Sequence, residues 1–417
     1  MPGPGPRWER RAGEGPDRLP EVDAMVTTDV PTHEELVERA ARAAKAARDH
    51  VAWSEQNRRL ADEQIEALAD AGLFRLRTPV RYGGYEADTR TLVRVAAELG
   101  AVDGSLAWTT QVYWIPTWMA GLFPDEVQDE VFSTPDVRVC GTLSPSGMAT
   151  EADGGIVVNG KWGFITGAHH AHWQEIIAVV LSADKEPQPV MALVPMSDLT
   201  VVDDWDTSGL RGTGSISTVA TDLFVPAARV LPLGAALNGQ AVSKVSAERP
   251  MYRAPLVPVA SASSVGVTVG LARAARDVFY DRLPNRKITY TGYDRQEEAP
   301  ITHLQAAQAA QLADEAEFHA ERLAALVDGK AAEGEEWSVA DRVLARGELG
   351  AACRRSREAV EVYARASGGS SIYRDVPIAR ILADVQSVNL HALMNPDTNA
   401  ELYGRILAGQ EPDSLYI

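Results

Sequence analysis

Cysteine is scarce in this sequence. Only Cys140 and Cys353 occur in 417 residues, with no CxxC and no Cys/His pair at metal-ligand spacing. That excludes a disulfide framework and a structural zinc site, and both thiols read as small apolar packing residues. Long hydrophobic runs are missing too: no window approaches the about 18 to 20 uninterrupted apolar residues of a membrane span. The N-terminus is rich in Pro, Gly and charge and lacks the apolar core of a secretory leader. Residues 1–25 read as a disordered extension, and the expected location is the cytoplasm. Positive charge is in deficit: 40 Lys and Arg face 58 Asp and Glu, for a net charge of −18. Such a surface repels phosphate backbones and argues against nucleic-acid partners. No GxGxxG follows a predicted strand, and Gly209-Leu-Arg-Gly-Thr-Gly has the wrong glycine spacing. No nicotinamide-binding domain is expected; were the chain a redox enzyme, its electrons would arrive from another protein.

What is present falls into three textures. Residues 26–136 are helical in pattern, with Thr32 placed to cap the first helix and glycines Gly72 and Gly100 as stops. The stretch Ser105 to Phe123 is unusually aromatic, holding Trp108, Tyr113, Trp114 and Trp118. Most of these suit a buried helix core, although a substrate pocket could borrow one or two. Residues 137–235 carry short runs rich in β-branched residues separated by Gly, Asp, Asn and Pro, which predicts an all-β module. Residues 236–417 turn helical again, with long Ala-rich helices over 260–282, 302–326 and 339–366 and shorter ones over 378–393 and 399–407. Helices, then strands, then a bundle is an α+β order, unlike an alternating βα chain.

Four motifs in this order resemble the acyl-CoA dehydrogenase superfamily. They are Gly155-Ile-Val-Val-Asn-Gly-Lys-Trp-Gly-Phe-Ile-Thr-Gly, the pair Gly209-Leu-Arg-Gly-Thr-Gly-Ser and Asp222-Leu-Phe-Val-Pro, the late Gly368-Gly369, and His391-Ala-Leu-Met-Asn-Pro-Asp-Thr-Asn. The last is similar to the tail of the two-component (group D) flavin-dependent monooxygenases built on that fold. The resemblance implies an N-terminal α-helical domain, a middle β-barrel or sandwich and a C-terminal four-helix bundle. It also implies a homotetramer with flavin at subunit interfaces.

By the same resemblance, Thr166 meets flavin N5 and Phe164 lies against the ring, with Thr142, Ser144 and Arg211 nearby. Arg286, with Gly368 and Gly369, would reach a flavin phosphate. Read without the family, these are strand-end hydroxyls satisfying local backbone, a solvated basic loop and a helix cap. The dehydrogenases of this family need a catalytic glutamate, and the resemblance puts Ala392 in its place; no Asp or Glu falls between Asp384 and Asp397. The monooxygenase branch carries a histidine in this stretch, which makes His391 the expected catalytic group beside Thr166. An isolated histidine on an apolar helix is ordinarily a satisfied core residue; the motif points the other way. Trp108, Tyr113, Trp114 and His169 are candidate substrate contacts. His169, His170 and His172 lack a suitably spaced carboxylate, so no metal is expected. Pro116 stands where many phenol hydroxylases of the branch carry a histidine, which turns the expectation toward a fused aromatic, an indole or an amine.

The implied activity is oxygenation of a small organic molecule through a flavin C4a-hydroperoxide. Reduced FAD or FMN would come from a separate NAD(P)H:flavin reductase, with O2 as co-substrate. Two alternatives stand beside it: an N-oxygenase of an amine or amino sugar, and an acyl-CoA dehydrogenase with a relocated base. A third is a flavin-fold protein kept for assembly.

Overall fold

The computed structural model describes residues 30–182 and 185–417. The expected extension over residues 1–25 lies outside the described residues. From Pro31 onward the chain forms one compact unit.

Six helices come first: α1 (His33–Ala47), α2 (Val51–Asn57), α3 (Asp62–Asp70), α4 (Thr89–Gly100), α5 (Gly104–Ala120) and α6 (Asp125–Val131). Their starts are chemically marked. Thr32 and Glu35 form a reciprocal capping box on α1, while Asp88 and Asp103 cap α4 and α5. Helix α5 is buried almost all round, so its aromatic sequence carries little amphipathic signal.

Eight strands follow: β1 (Val139–Gly141), β2 (Gly147–Ala152), β3 (Gly155–Ile165), β4 (Trp173–Ser182), β5 (Lys185–Pro195), β6 (Thr200–Val202), β7 (Ile216–Pro226) and β8 (Val230–Pro232). The expected barrel or sandwich is laid out as one mixed sheet, in the order β6-β7-β3-β2-β4-β5-β8, with β1 also paired to β4. The β1–β4 and β2–β4 pairs are parallel, the others antiparallel. The pairing of β3 with β7 slips between Trp162 and Ile165, and Phe164 sits in that irregularity with φ +61°. A bulge here re-aims the strand end that carries Thr166.

The remaining helices are α7 (Leu233–Leu237), α8 (Lys244–Glu248), α9 (Leu256–Ser264), α10 (Gly266–Arg282), α11 (Pro300–Glu333), α12 (Val339–Ala366), α13 (Ile378–Leu390) and α14 (Pro396–Leu407). The single helix expected over 260–282 is two, starting earlier and stepping at Val265. Ser263 and Thr268 donate to the Val259 and Val265 carbonyls on either side of the step, a local competition that bends helices. The stretch Leu256–Asn285 is long and apolar enough to cross a membrane by length and composition, and 94% of its most apolar window is buried inside the fold. Helix α13 ends at Leu390, short of the expected residue 393, because His391 turns to extended backbone (ψ 137°). That turn positions the site.

Candidate active site

At the end of β3, Thr166 is almost fully buried and its Oγ1 lies 2.8 Å from Ser215 Oγ. Ser215 Oγ in turn lies 2.7 Å from Thr213 Oγ1, which donates to the Leu210 carbonyl at 2.8 Å. The motif Gly209-Leu-Arg-Gly-Thr-Gly-Ser therefore builds a line of three hydroxyls ending at Thr166. The turn after Thr166 depends on Gly167, whose φ is +72° and whose missing Cβ leaves room for the Tyr113 hydroxyl. That hydroxyl donates to the Gly167 carbonyl at 2.6 Å. Phe164 is 74% exposed and meets Trp205 edge-on at 5.9 Å.

His391 stands where α13 stops. Its ring meets Trp108 of α5 edge-on, with centroids 5.1 Å apart. The side chain is exposed to solvent, yet many protein atoms surround it, as in an open crevice. This desolvation, helped by the Arg346 charge, pushes its pKa down to about 4. Nδ1 accepts from the Leu393 backbone N–H at 3.2 Å, which assigns the proton of the neutral ring to Nε2. His391 is thus a neutral Nε2–H donor near pH 7. Adjacent residues of α5 join the two sides: Trp108 touches His391, while Thr109 packs over Gly167.

The rest of the motif after His391 holds it in place. Asn395 Oδ1 caps α14 by accepting from Asp397 and Thr398. Asn399 donates to the Leu393 carbonyl and accepts from Arg346 Nε at 2.6 Å. Arg346 is buried and its pKa falls to about 10 through desolvation. Its Nη1 donates to the Tyr416 carbonyl at 2.5 Å, and the Tyr416 hydroxyl donates to Leu143 O at 3.1 Å. The C-terminal tail is thereby tied to the loop carrying Thr142 and Ser144, whose side-chain oxygens lie 3.5 Å apart.

A second cluster sits where α10 and α12 end. Arg282 and Arg286 both point at Ser370 Oγ, at 3.2 and 3.4 Å. Gly368, with φ +63° and ψ −174°, adopts backbone that suits glycine alone, and a Cβ there would crowd the Arg286 guanidinium. Gly369 and Ser370 continue the turn. Two guanidiniums beside an open glycine turn suit a phosphate. Separately, the Thr166 oxygen and the exposed Phe164 ring suit the edge and face of a flavin ring.

Several expected residues sit elsewhere. Trp114 is fully buried and its indole N–H is bonded to Leu73 O, which makes it a core residue rather than a substrate contact. Tyr113 is buried, with its hydroxyl committed behind the Thr166 turn. Arg211 clamps its own loop, donating to Asp206 Oδ1 and to the Thr207 and Glu55 carbonyls. His169 is exposed beside Gly214, at the rim of the hydroxyl line. His170 bonds Leu60 O and His172 bonds Arg138, so the three histidines face different partners. Sequence reasoning missed Ser215, Thr213, Arg346, Tyr416 and Glu175. Glu175 is fully buried on β4, neither carboxylate oxygen has a hydrogen-bond partner among the described residues, and desolvation raises its pKa to about 8.

Comparison with known proteins identifies the family and the fold. Family models described as Acyl-CoA dehydrogenase, N-terminal domain and C-terminal domain match residues 30–130 and 262–396. A pigment production hydroxylase from Rhodococcus sp. is 31% identical, covering 90% of this chain and 96% of its own. The oxygenase component of an FADH2-dependent resorcinol hydroxylase from Rhizobium sp. is also 31% identical, over 92% and 96%. The structure of XiaF from Streptomyces sp. in complex with FADH2 and glycerol superposes with a TM-score of 0.87 at 30% identity, covering 92% of this chain and 97% of that one.

Proposed function

Because the chain belongs to the oxygenase components of two-component flavin-dependent monooxygenases, built on the acyl-CoA dehydrogenase fold, we propose that it hydroxylates an aromatic small molecule with O2. Reduced flavin comes from a separate NAD(P)H:flavin reductase, and when bound it supplies the electrons that activate O2. The reading places the enzyme in the cytoplasm beside that reductase, as a homotetramer.

The observation that carries the proposal is the end of α13. A neutral imidazole donor stands there beside an aromatic wall, where a dehydrogenase of this fold needs a carboxylate base. The nearest acid on that helix, Asp384, is fully buried and bonded to the Leu210 N–H, so it is out of reach of a substrate. In the proposed site Thr166 holds flavin N5, His391 donates its Nε2–H into the crevice, and Trp108 flanks a flat substrate. Val112 and Ile115 are half-buried and extend the Trp108 face of α5 as an apolar wall that excludes water. Phe164 would cover the ring, and Arg282 and Arg286 with Gly368 and Gly369, from a neighbouring copy in the homotetramer, would take the phosphate.

The test uses purified protein with chemically reduced FAD or FMN, 18O2 and a panel of phenols, indoles and fused aromatics. One 18O atom in a hydroxylated product is the expected result. Bleaching of tightly bound oxidised FAD by an acyl-CoA, with no labelled product, would replace this reading with the dehydrogenase.

A further inference from the structure

The hydroxyl line can be read for direction as well as position. Three oxygen–oxygen contacts of 2.8, 2.7 and 2.8 Å run from Thr166 through Ser215 and Thr213 to the Leu210 carbonyl. Two oxygens this close repel unless a proton lies between them, so each contact needs one. There are three contacts and three hydroxyl protons. The far end is an acceptor only: the Leu210 carbonyl also receives the Trp205 indole N–H at 3.2 Å and the Thr213 backbone N–H at 3.2 Å. Thr213 must therefore give its proton to Leu210, Ser215 must give its proton to Thr213, and Thr166 must give its proton to Ser215. No other assignment satisfies every contact.

The anchor is built into the fold. Leu210 has φ +52° and ψ +35°, a left-handed conformation that is unfavourable for a residue with a branched side chain. It is held there by its backbone N–H, which donates at 2.7 Å to Asp384 Oδ1 on α13. Asp384 is itself faced by Arg380 at 3.5 Å on its own helix, by Asp103 of α5 through that same arginine, and by Glu55 of α2. One buried carboxylate thus fixes the residue from which the proton order of the whole line follows.

We propose that Ser215 and Thr213 are positioning residues that fix Thr166 as an obligate hydrogen-bond acceptor, so that its oxygen can receive an N–H, such as that at N5 of a reduced flavin, and cannot donate to it. The proposal rests on the monooxygenase reading for its ligand but not for the direction of the line. An acceptor locked by two further hydroxyls discriminates the N5–H form of the flavin from the form with a bare N5. A lone threonine, free to rotate, would serve either.

Neutron diffraction from deuterium-exchanged crystals of the flavin-free protein tests the direction alone. The expected deuterons lie on Thr213 toward Leu210, on Ser215 toward Thr213 and on Thr166 toward Ser215. A deuteron on Ser215 pointing at Thr166 overturns the proposal, whatever the enzyme's substrate. The consequence is tested in solution with 15N-labelled reduced flavin. Thr213→Ser keeps the hydroxyl and should leave the N5 resonance and the ratio of reduced to oxidised flavin affinity as in the wild type. Thr213→Val and Ser215→Ala should shift the N5 resonance and lower that ratio about tenfold. An unchanged N5 signal in both variants would remove these residues from the role. Failure of the wild type to bind reduced flavin at all would instead sink the monooxygenase reading and leave the neutron result standing.

Discussion

His391 works as a fixed donor because two independent constraints agree. Its Nδ1 is engaged by the Leu393 N–H, and its ring is held neutral by a crowded crevice and the Arg346 charge. No ionisation of this residue is then expected between about pH 6 and 8, a range where an ordinary histidine titrates. Histidine 15N spectra should show the Nε2–H tautomer across that range, and His391→Ala should lose about a hundredfold in hydroxylated product. His391→Asn, which keeps an acceptor and a donor, should recover part of the loss. A titration step near 6.5 in the wild-type spectra would contradict the geometry. Glu175 offers a second test at this scale. Its folded pKa is raised to about 8 from an ordinary value of 4.5, so its stabilising share is fully present below 4.5 and is lost as pH rises through 8. Glu175→Gln cannot ionise; against it, the wild type should lose on the order of 5 kcal/mol across that window in urea melts. The motifs make Thr166 and His391 legible in the sequence and include Ser215, but not its contact with Thr166, which forms only through a strand pairing that spans 49 positions. Glu175 is likewise invisible beforehand: a glutamate in a strand ordinarily faces water, and only the covering of both faces of β4 removes it from solvent.

Helix α13 carries more of the site than its length suggests. Asp384 near its middle anchors Leu210 and the hydroxyl line, while its last turn releases His391 into the crevice. Both sides of the site are therefore set by how this one helix docks. Asp384→Ala strips the Leu210 N–H of its acceptor and Arg380 of a counter-charge, and should destabilise the protein by about 1–3 kcal/mol. It should also raise the share of O2 released as H2O2. Asp384→Asn keeps an acceptor for Leu210 and should hold most of both properties, which urea melts and peroxide assays would compare. Equal damage in the two variants would mean that the charge, not the anchor, matters. Helix identity here follows from composition, but the end of α13 does not: nothing in Leu390-His391-Ala392-Leu393 breaks a helix by propensity, and the stop comes from the His391 side chain capping its own turn. Strand β2 was equally hard to foresee, because Gly147-Met-Ala-Thr-Glu-Ala has few β-branched residues and becomes a strand by sitting between β3 and β4. On α5, sequence could not choose among the aromatic residues, since nearly every face of that helix is buried; the docking of α13 selects Trp108.

At the scale of the whole molecule, the C-terminal helices leave apolar surface uncovered. Ile301, Leu304 and Phe318 lie on one side of α11 and are 55%, 72% and 59% exposed. Ile372 and Tyr373, just past the glycine turn that faces Arg286, are exposed as well. Apolar groups this open in an otherwise acidic chain suit a surface covered by further copies. The two arginines at that turn have no carboxylate partner among the described residues, as expected of groups kept for an outside anion. The proposed homotetramer would join these facts: its packing would cover α11 and bring the arginine corner of one copy to the flavin of another. Light scattering should give a tetramer for the wild type and for Arg286→Ala. Arg286→Ala should nevertheless bind reduced FAD about tenfold more weakly, through loss of charge-assisted bonds to phosphate. The double variant Leu304→Lys, Phe318→Lys should lower the mass and lose FAD affinity together, because the arginine leaves with the partner. If the mass falls while FAD affinity holds, the corner serves the flavin of its own chain and the site is complete within one subunit.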